Sequence, residues 1–139
     1  MNYFKMQILG KSENEKFCRS AIAAFCVGLA PSVEEINDVK TAVSEAVTNV
    51  IVHAYDSEGI IGIDAYIDDN KLTVEVSDTG KGISDVIKAQ EPFYSTKSDD
   101  ERSGMGFTVM QTFMDSVEVE SEIGKGTKVK MTKVFGGKC

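Results

Sequence analysis

The segment from Ser32 to about Tyr55 constrains the fold of this 139-residue chain more than any other. Ser32, followed by Glu35 three residues later, forms a capping box and predicts the start of a long helix. Such a helix with one apolar face must bury this face against another layer of the fold. The residues at helical spacing that predict this face are Ile36, Val39, Val43, Val47, Val50 and Ala54.

Shorter patterns on both sides predict the remaining elements. Residues 3–9 predict a strand and residues 13–29 a helix that ends before Pro31, with Phe17, Ala21, Ala24, Phe25 and Leu29 at helical spacing. Two hairpins and one further helix follow, the hairpins at 60–67 with 71–77 and at 116–122 with 127–134, and the helix over 105–114.

This order of elements predicts the fold class. Two helices precede the first hairpin and one helix lies between the two hairpins. We therefore expect an α+β fold, a two-layer sandwich in which helices cover one face of a mixed or antiparallel sheet. A length of 139 residues predicts a single domain over 1–139.

Charge and cysteine content exclude several classes of function. The net charge of −7 speaks against nucleic acid as a direct partner, because phosphate binding needs clustered Lys and Arg. Three cysteines without regular spacing do not predict a disulfide framework, and a single histidine speaks against a structural zinc site. No apolar run reaches the roughly 18 residues of a membrane span, so we expect a cytoplasmic protein.

Glu45, Asn49 and His53 lie four residues apart on the predicted long helix, opposite its apolar face. This spacing places their side chains along one ridge. A ridge of this kind is also typical of an ordinary solvated helix surface, so alone it does not define a site.

Two glycine-rich segments follow the first hairpin. Asp78-Thr-Gly-Lys-Gly82 comes directly after a predicted strand, where glycines allow a sharp turn and close approach to a ligand. Arg102-Ser-Gly-Met-Gly-Phe107 precedes a predicted helix, and a helix N-terminus with free N–H groups suits an anion. Each segment by itself also fits a plain turn or loop, as does Gly124-Lys-Gly-Thr127 at the second hairpin tip.

Together and in this order, the four segments resemble the N, G1, G2 and G3 boxes of the GHKL ATPase superfamily, which includes gyrase B, sensor histidine kinases and MutL. The resemblance covers residues 13–134. Three runs also resemble the anti-sigma F factor family of spore-forming bacteria: Ser44–Asn49, Pro92–Lys97 and Glu101–Phe107. The stress-response anti-sigma B kinases are the next most similar family.

The resemblance implies roles for the matching residues. Asn49 would bind Mg²⁺, and Glu45 would act as general base. Asp78 would accept a hydrogen bond from the adenine amine of ATP, with Thr127 supporting it through water. An arginine of the first helix contacts protein partners in this family, and here Arg19 matches it.

The glycine-rich segments would handle the rest of the nucleotide. Gly80 and Gly82 would let the chain pass the nucleotide and would hinge an ATP lid over about 83–103. The further nucleotide-binding positions that the resemblance implies are Thr96, Lys97, Arg102, Ser103, Gly104, Met105 and Gly106.

The function implied is that of a homodimeric anti-sigma factor that holds sigma F in the ATP state. It would also be a serine/threonine protein kinase acting on an anti-anti-sigma factor. Three alternatives stay open: an anti-sigma B type kinase, the catalytic domain of a histidine kinase, and an ATP-dependent binding module without transfer chemistry. Glu45 speaks against the last, since a binding module needs no base beside the metal ligand.

Overall fold

The computed structural model describes residues 1–54, 59–82 and 106–136. Five strands form one sheet in the order β1-β2-β3-β5-β4, and every neighbouring pair is antiparallel. The sheet is thus antiparallel, and both predicted hairpins are confirmed. The strands are β1 Asn2–Leu9, β2 Ile60–Asp68, β3 Lys71–Asp78, β4 Ser116–Glu122 and β5 Gly126–Val134.

The described helical elements are α1 Ser12–Phe25, a 3₁₀ turn Cys26–Leu29, α2 Val33–Asn49, a π-helical segment Val50–Ala54, and α3 Gly106–Phe113. The capping box at the start of α2 is confirmed. The Ser32 side chain accepts from the Glu35 backbone N–H at 3.0 Å, and the Glu35 carboxylate accepts from the Ser32 N–H at 2.9 Å. These two bonds satisfy donors that a helix N-terminus leaves open.

The core lies between α2 and the middle of the sheet. Val39, Val43, Val47, Val50 and Ala54 are all buried, which confirms the predicted apolar face, and Ile36 is partly buried beside them. Alternate residues of β3 face them, namely Leu72, Val74 and Val76. The residues between these, including Glu75, belong to the opposite, polar face of the sheet.

The buried face of α1 matches the predicted apolar spacing only in part, since Phe25 and Leu29 pack partly buried against the core. Phe17 is 57% exposed, whereas Cys18, Ile22 and Cys26 are fully buried. Cysteine packs as a small hydrophobic residue, and a pattern read mainly from Phe and Ala places the face one position off. Burial raises the pKa of Cys18 to about 12 and that of Cys26 to about 11, so both remain thiols at neutral pH.

Candidate functional site

The last turns of α2 carry the polar ridge. Glu45 and Asn49 are both half-buried, one helical turn apart. The helical chain continues to Ala54, close to the predicted end near Tyr55, but it changes to π-helical winding at Val50. A π turn closes over five residues instead of four, which displaces His53 from the α-helical ridge. Tyr55 lies outside the described residues.

The loop after β3 packs directly on the end of this helical segment. The Lys81 backbone N–H donates to the Ala54 carbonyl oxygen at 2.8 Å. A Cβ on Gly80 would overlap this same oxygen and lie 2.9 Å from the Ala54 Cβ. Glycine is therefore required at position 80, and the contact draws the end of β3 towards the helix that bears Asn49.

Asp78 lies at the end of β3 and is half-buried. Its Oδ1 accepts from the Gly80 backbone N–H at 2.9 Å, and the backbone N–H of Thr127 also donates to the carboxylate. Burial raises the pKa of Asp78, and these two hydrogen bonds oppose the rise because they favour the ionised form. The result is a fixed, partly desolvated acceptor at one end of the sheet.

Thr127 pairs with Asp78 across β3 and β5. The close approach depends on Gly126, which has φ +113 and at which a Cβ would overlap the Asp78 carbonyl oxygen. The Thr127 hydroxyl contacts the Ser121 hydroxyl of β4 at 2.7 Å. A cavity of about 350 Å³ opens here and includes Ser77, Asp78, Ser121, Lys125 and Thr127 in its lining.

Two further contacts join the second hairpin to the loop after β3. The Gly124 backbone N–H donates to the Lys81 carbonyl oxygen at 2.8 Å. Gly82 has φ +77, and a Cβ there would overlap the carbonyl oxygen of Glu122. The segment Asp78–Gly82 and the distant Thr127 thus meet at one end of the sheet.

The other predicted positions either lie on elements away from this cluster or fall outside the described residues. Gly106 is the first residue of α3. Arg19 lies on α1, with its Nε 3.4 Å from the Glu15 carboxylate and its side chain 37% exposed. Thr96, Lys97, Arg102, Ser103, Gly104 and Met105 lie outside the described residues, as does the segment predicted to form the lid.

Ser121 is the residue that sequence reasoning missed. Ser121 lies on a predicted strand and belongs to none of the motifs. Its contact with Thr127 depends on the pairing of β4 with β5. A β-hairpin search that paired the two strands by register could have placed Ser121 opposite Thr127.

Asn49 is the single predicted protein ligand for Mg²⁺. Within 1–54, 59–82 and 106–136, no group of three or more His, Cys, Asp or Glu side chains could hold a metal ion. A site with few protein ligands fits Mg²⁺ bound with a nucleotide, because the ion keeps several waters and takes the remaining oxygens from phosphates. The amide oxygen of Asn49 is a suitable donor for this role.

The comparison with protein families agrees with this fold. The model of the histidine kinase-like ATPase domain matches residues 12–133, and the chain therefore belongs to that family. Within it, the chain is 60% identical over 136 residues to the anti-sigma F factor of Caldanaerobacter subterraneus subsp. tengcongensis. The match covers 97% of this chain and 95% of the relative, which places this sequence among the anti-sigma F factors.

Solved structures share the fold at low sequence identity. The crystal structure of the RsbU and RsbW domains of a Mycobacterium tuberculosis protein matches with a TM-score of 0.71 at 15% identity. It covers 97% of this chain and 33% of the other. Full-length ShkA, solved in complex with AMPPNP, matches with a TM-score of 0.58 at 20% identity, over 72% of this chain and 22% of that one.

The described part of the chain holds no helix with both the length and the apolarity required to cross a bilayer.

Proposed function

We propose that this protein is a cytoplasmic anti-sigma factor that binds sigma F in its ATP state and is also a serine protein kinase. The observation that carries the proposal is the 60% identity to an anti-sigma F factor over nearly the whole chain. The cluster at the sheet end supports it, since Asp78 and Thr127 lie beside the loop that packs on the Asn49 helix. The chain acts as a single domain whose lid spans about 83–103.

ATP binds with its adenine amine against Asp78 and its phosphates towards Asn49. Mg²⁺ bound with the nucleotide would supply positive charge that offsets the negative charge developing during transfer, and Asn49 would hold it. Arg102 with the backbone of residues 104–106 completes the phosphate site. Thr96, Lys97 and Ser103 close over the nucleotide from the lid.

The kinase reaction transfers the γ-phosphoryl group to a serine of the anti-anti-sigma factor. The serine oxygen forms a bond to the γ-phosphorus, and the bond to the β–γ bridging oxygen breaks as ADP leaves. Glu45 takes the hydroxyl proton, which suits its position one helical turn before Asn49. Phosphorylation inactivates the partner, so the homodimer keeps its hold on sigma F. We propose no direct contact with nucleic acid or membrane.

The test of the proposed chemistry is Glu45→Gln. The amide keeps the shape of the side chain but cannot take a proton, so transfer to the serine partner should fall by about 10²–10⁴-fold. Binding of Mg-ATP and of sigma F should persist, because Asn49 and Asp78 are unchanged. Phosphate transfer from labelled ATP and sigma F pull-down are measured on the same preparation.

Asn49→Ala is the matched comparison on the same ridge. Loss of the metal ligand should weaken Mg-ATP binding and with it both activities. Near-normal transfer by Glu45→Gln would exclude Glu45 as the base. A parent protein that binds ATP and sigma F but transfers no phosphate would favour the binding module without transfer chemistry.

A further inference from the structure

Beside Asp78, one residue outside the motifs, Ser121, contacts two groups of the Gly124–Thr127 segment. The Ser121 hydroxyl of β4 lies 3.1 Å from the Gly126 carbonyl oxygen and 2.7 Å from the Thr127 hydroxyl. Ser121 and Thr127 are directly paired across the β4/β5 hairpin, and Thr127 is directly paired with Asp78 across β3 and β5. The three side chains thus form one row across the end of the sheet.

Counting hydrogens identifies the directions in which both contacts of the Ser121 hydroxyl are hydrogen bonds. A serine hydroxyl has one hydrogen to donate, and a carbonyl oxygen can only accept. The contact with Gly126 is a hydrogen bond only if Ser121 donates to it. The arrangement that makes both contacts hydrogen bonds has Thr127 donating its hydroxyl hydrogen to Ser121 across the 2.7 Å contact.

The Thr127 oxygen is therefore left with lone pairs and no hydrogen for a ligand. Asp78 beside it is also an acceptor when ionised, because a carboxylate has no hydrogen to give. The site thus offers two neighbouring acceptors to whatever enters it. Such a pair matches an amine, which donates two hydrogens, and opposes a carbonyl oxygen at the same place, which can only accept.

We propose that Ser121 is a positioning residue that sets the base specificity of this site by fixing Thr127 as an acceptor. The inference rests on the proposed function, since it assumes that the adenine of ATP lies against Asp78 and Thr127. The ligand class it selects is a 6-amino purine nucleotide over a 6-oxo purine nucleotide. The selection requires the Thr127 oxygen to accept directly from the amine, because a bridging water can donate to an oxo group as well as accept from an amine.

The test compares ATP with inosine triphosphate, which differs in carrying an oxo group in place of the 6-amino group. Dissociation constants for both are measured by calorimetry with Mg²⁺ present, on the full chain. In Ser121→Ala the Thr127 hydroxyl is released and can turn its hydrogen towards the oxo group. The preference for ATP over inosine triphosphate should then fall by about fivefold, the usual effect of one neutral hydrogen bond.

The same hairpin offers a matched control. Ser116 and Thr132 form an equivalent hydroxyl pair at its other end, directly opposed across β4 and β5. Ser116→Ala should leave the preference unchanged. Thr127→Val supplies the second control, because in that background Ser121→Ala has no hydroxyl to release and should have no further effect.

The outcomes separate the role of Ser121 from the proposed function on which it rests. If the parent binds neither nucleotide, both the proposed function and the role of Ser121 are refuted. If the parent prefers ATP and Ser121→Ala keeps the full preference, the role of Ser121 alone is refuted. An equal loss of preference in Ser121→Ala with and without Thr127→Val would also refute it, since Ser121 would then act by another route.

Discussion

At the scale of single residues, Asp78 combines two opposing influences. Burial raises its pKa, while the N–H groups of Gly80 and Thr127 favour the carboxylate. The net pKa is raised, so protonation begins at a higher pH than for an ordinary aspartate. Protonation replaces an acceptor by a donor and removes the match to an amine.

We therefore expect ATP affinity to weaken as the pH falls through the raised pKa of Asp78, with full affinity on the alkaline side. Asp78→Asn should remove this pH dependence and lose most of the preference for ATP over GTP, because an amide can present a donor. Calorimetric titrations of parent and mutant at several pH values test this. If Asp78→Asn and the parent showed the same pH profile and the same preference for ATP over GTP, Asp78 would have only a structural role in the turn.

At the scale of elements, the contact between the π-helical segment and the loop after β3 joins two parts of the site. One part is the end of β3 with Asp78, and the other is the helix that carries Asn49. Gly80→Ala would drive a methyl group into the Ala54 carbonyl and break the bond from Lys81. Overpacking of this kind costs about 1–3 kcal/mol, so the melting temperature should fall. ATP affinity should fall with it, since Asp78 moves away from the Asn49 helix.

Gly28→Ala is the control for this glycine change. A Cβ at Gly28 has no heavy atom within 4 Å, so the same substitution should leave both melting temperature and ATP affinity unchanged. Thermal denaturation with and without Mg-ATP measures both quantities. A Gly80→Ala protein that matches the parent in both would show that the contact does not shape the site.

At the scale of the whole molecule, Arg19 lies on α1, a helix that contributes no residue to the nucleotide cluster. Its Nε lies 3.4 Å from Glu15, whose carboxylate is largely buried. Arg19→Glu would place two like charges one helical turn apart and weaken α1 itself. Arg19→Ala is therefore the sharper test of partner binding.

We expect Arg19→Ala to weaken sigma F binding by about tenfold or more, as truncation of an interface arginine commonly does, with ATP affinity unchanged. Lys16→Ala removes a neighbouring exposed cation of the same helix and should have a small effect. Pull-down of sigma F in the presence of ATP compares the three proteins. Undiminished binding by Arg19→Ala would remove this residue from the partner surface.

The sequence by itself determined the elements and their order. The capping box at Ser32, the apolar face of α2 and the two hairpins follow from local patterns, and the structure confirms them. The positions of Asn49 on a helix and Asp78 at a strand end follow from the same patterns. Local signals suffice here because helix caps and turn residues act over a few neighbouring residues.

The tertiary structure alone decided how these parts meet. The π winding after Asn49, the buried cysteine face of α1 and the requirement for glycine at position 80 all depend on what packs against each segment. The row of Ser121, Thr127 and Asp78 depends on the register of three strands from two separate hairpins. Ser121 and Thr127 pair within one hairpin, but the pairing of β3 with β5 joins Asp78 to a residue far along the chain. A shift of one residue there would turn the side chains to the opposite face, and no local pattern fixes that register.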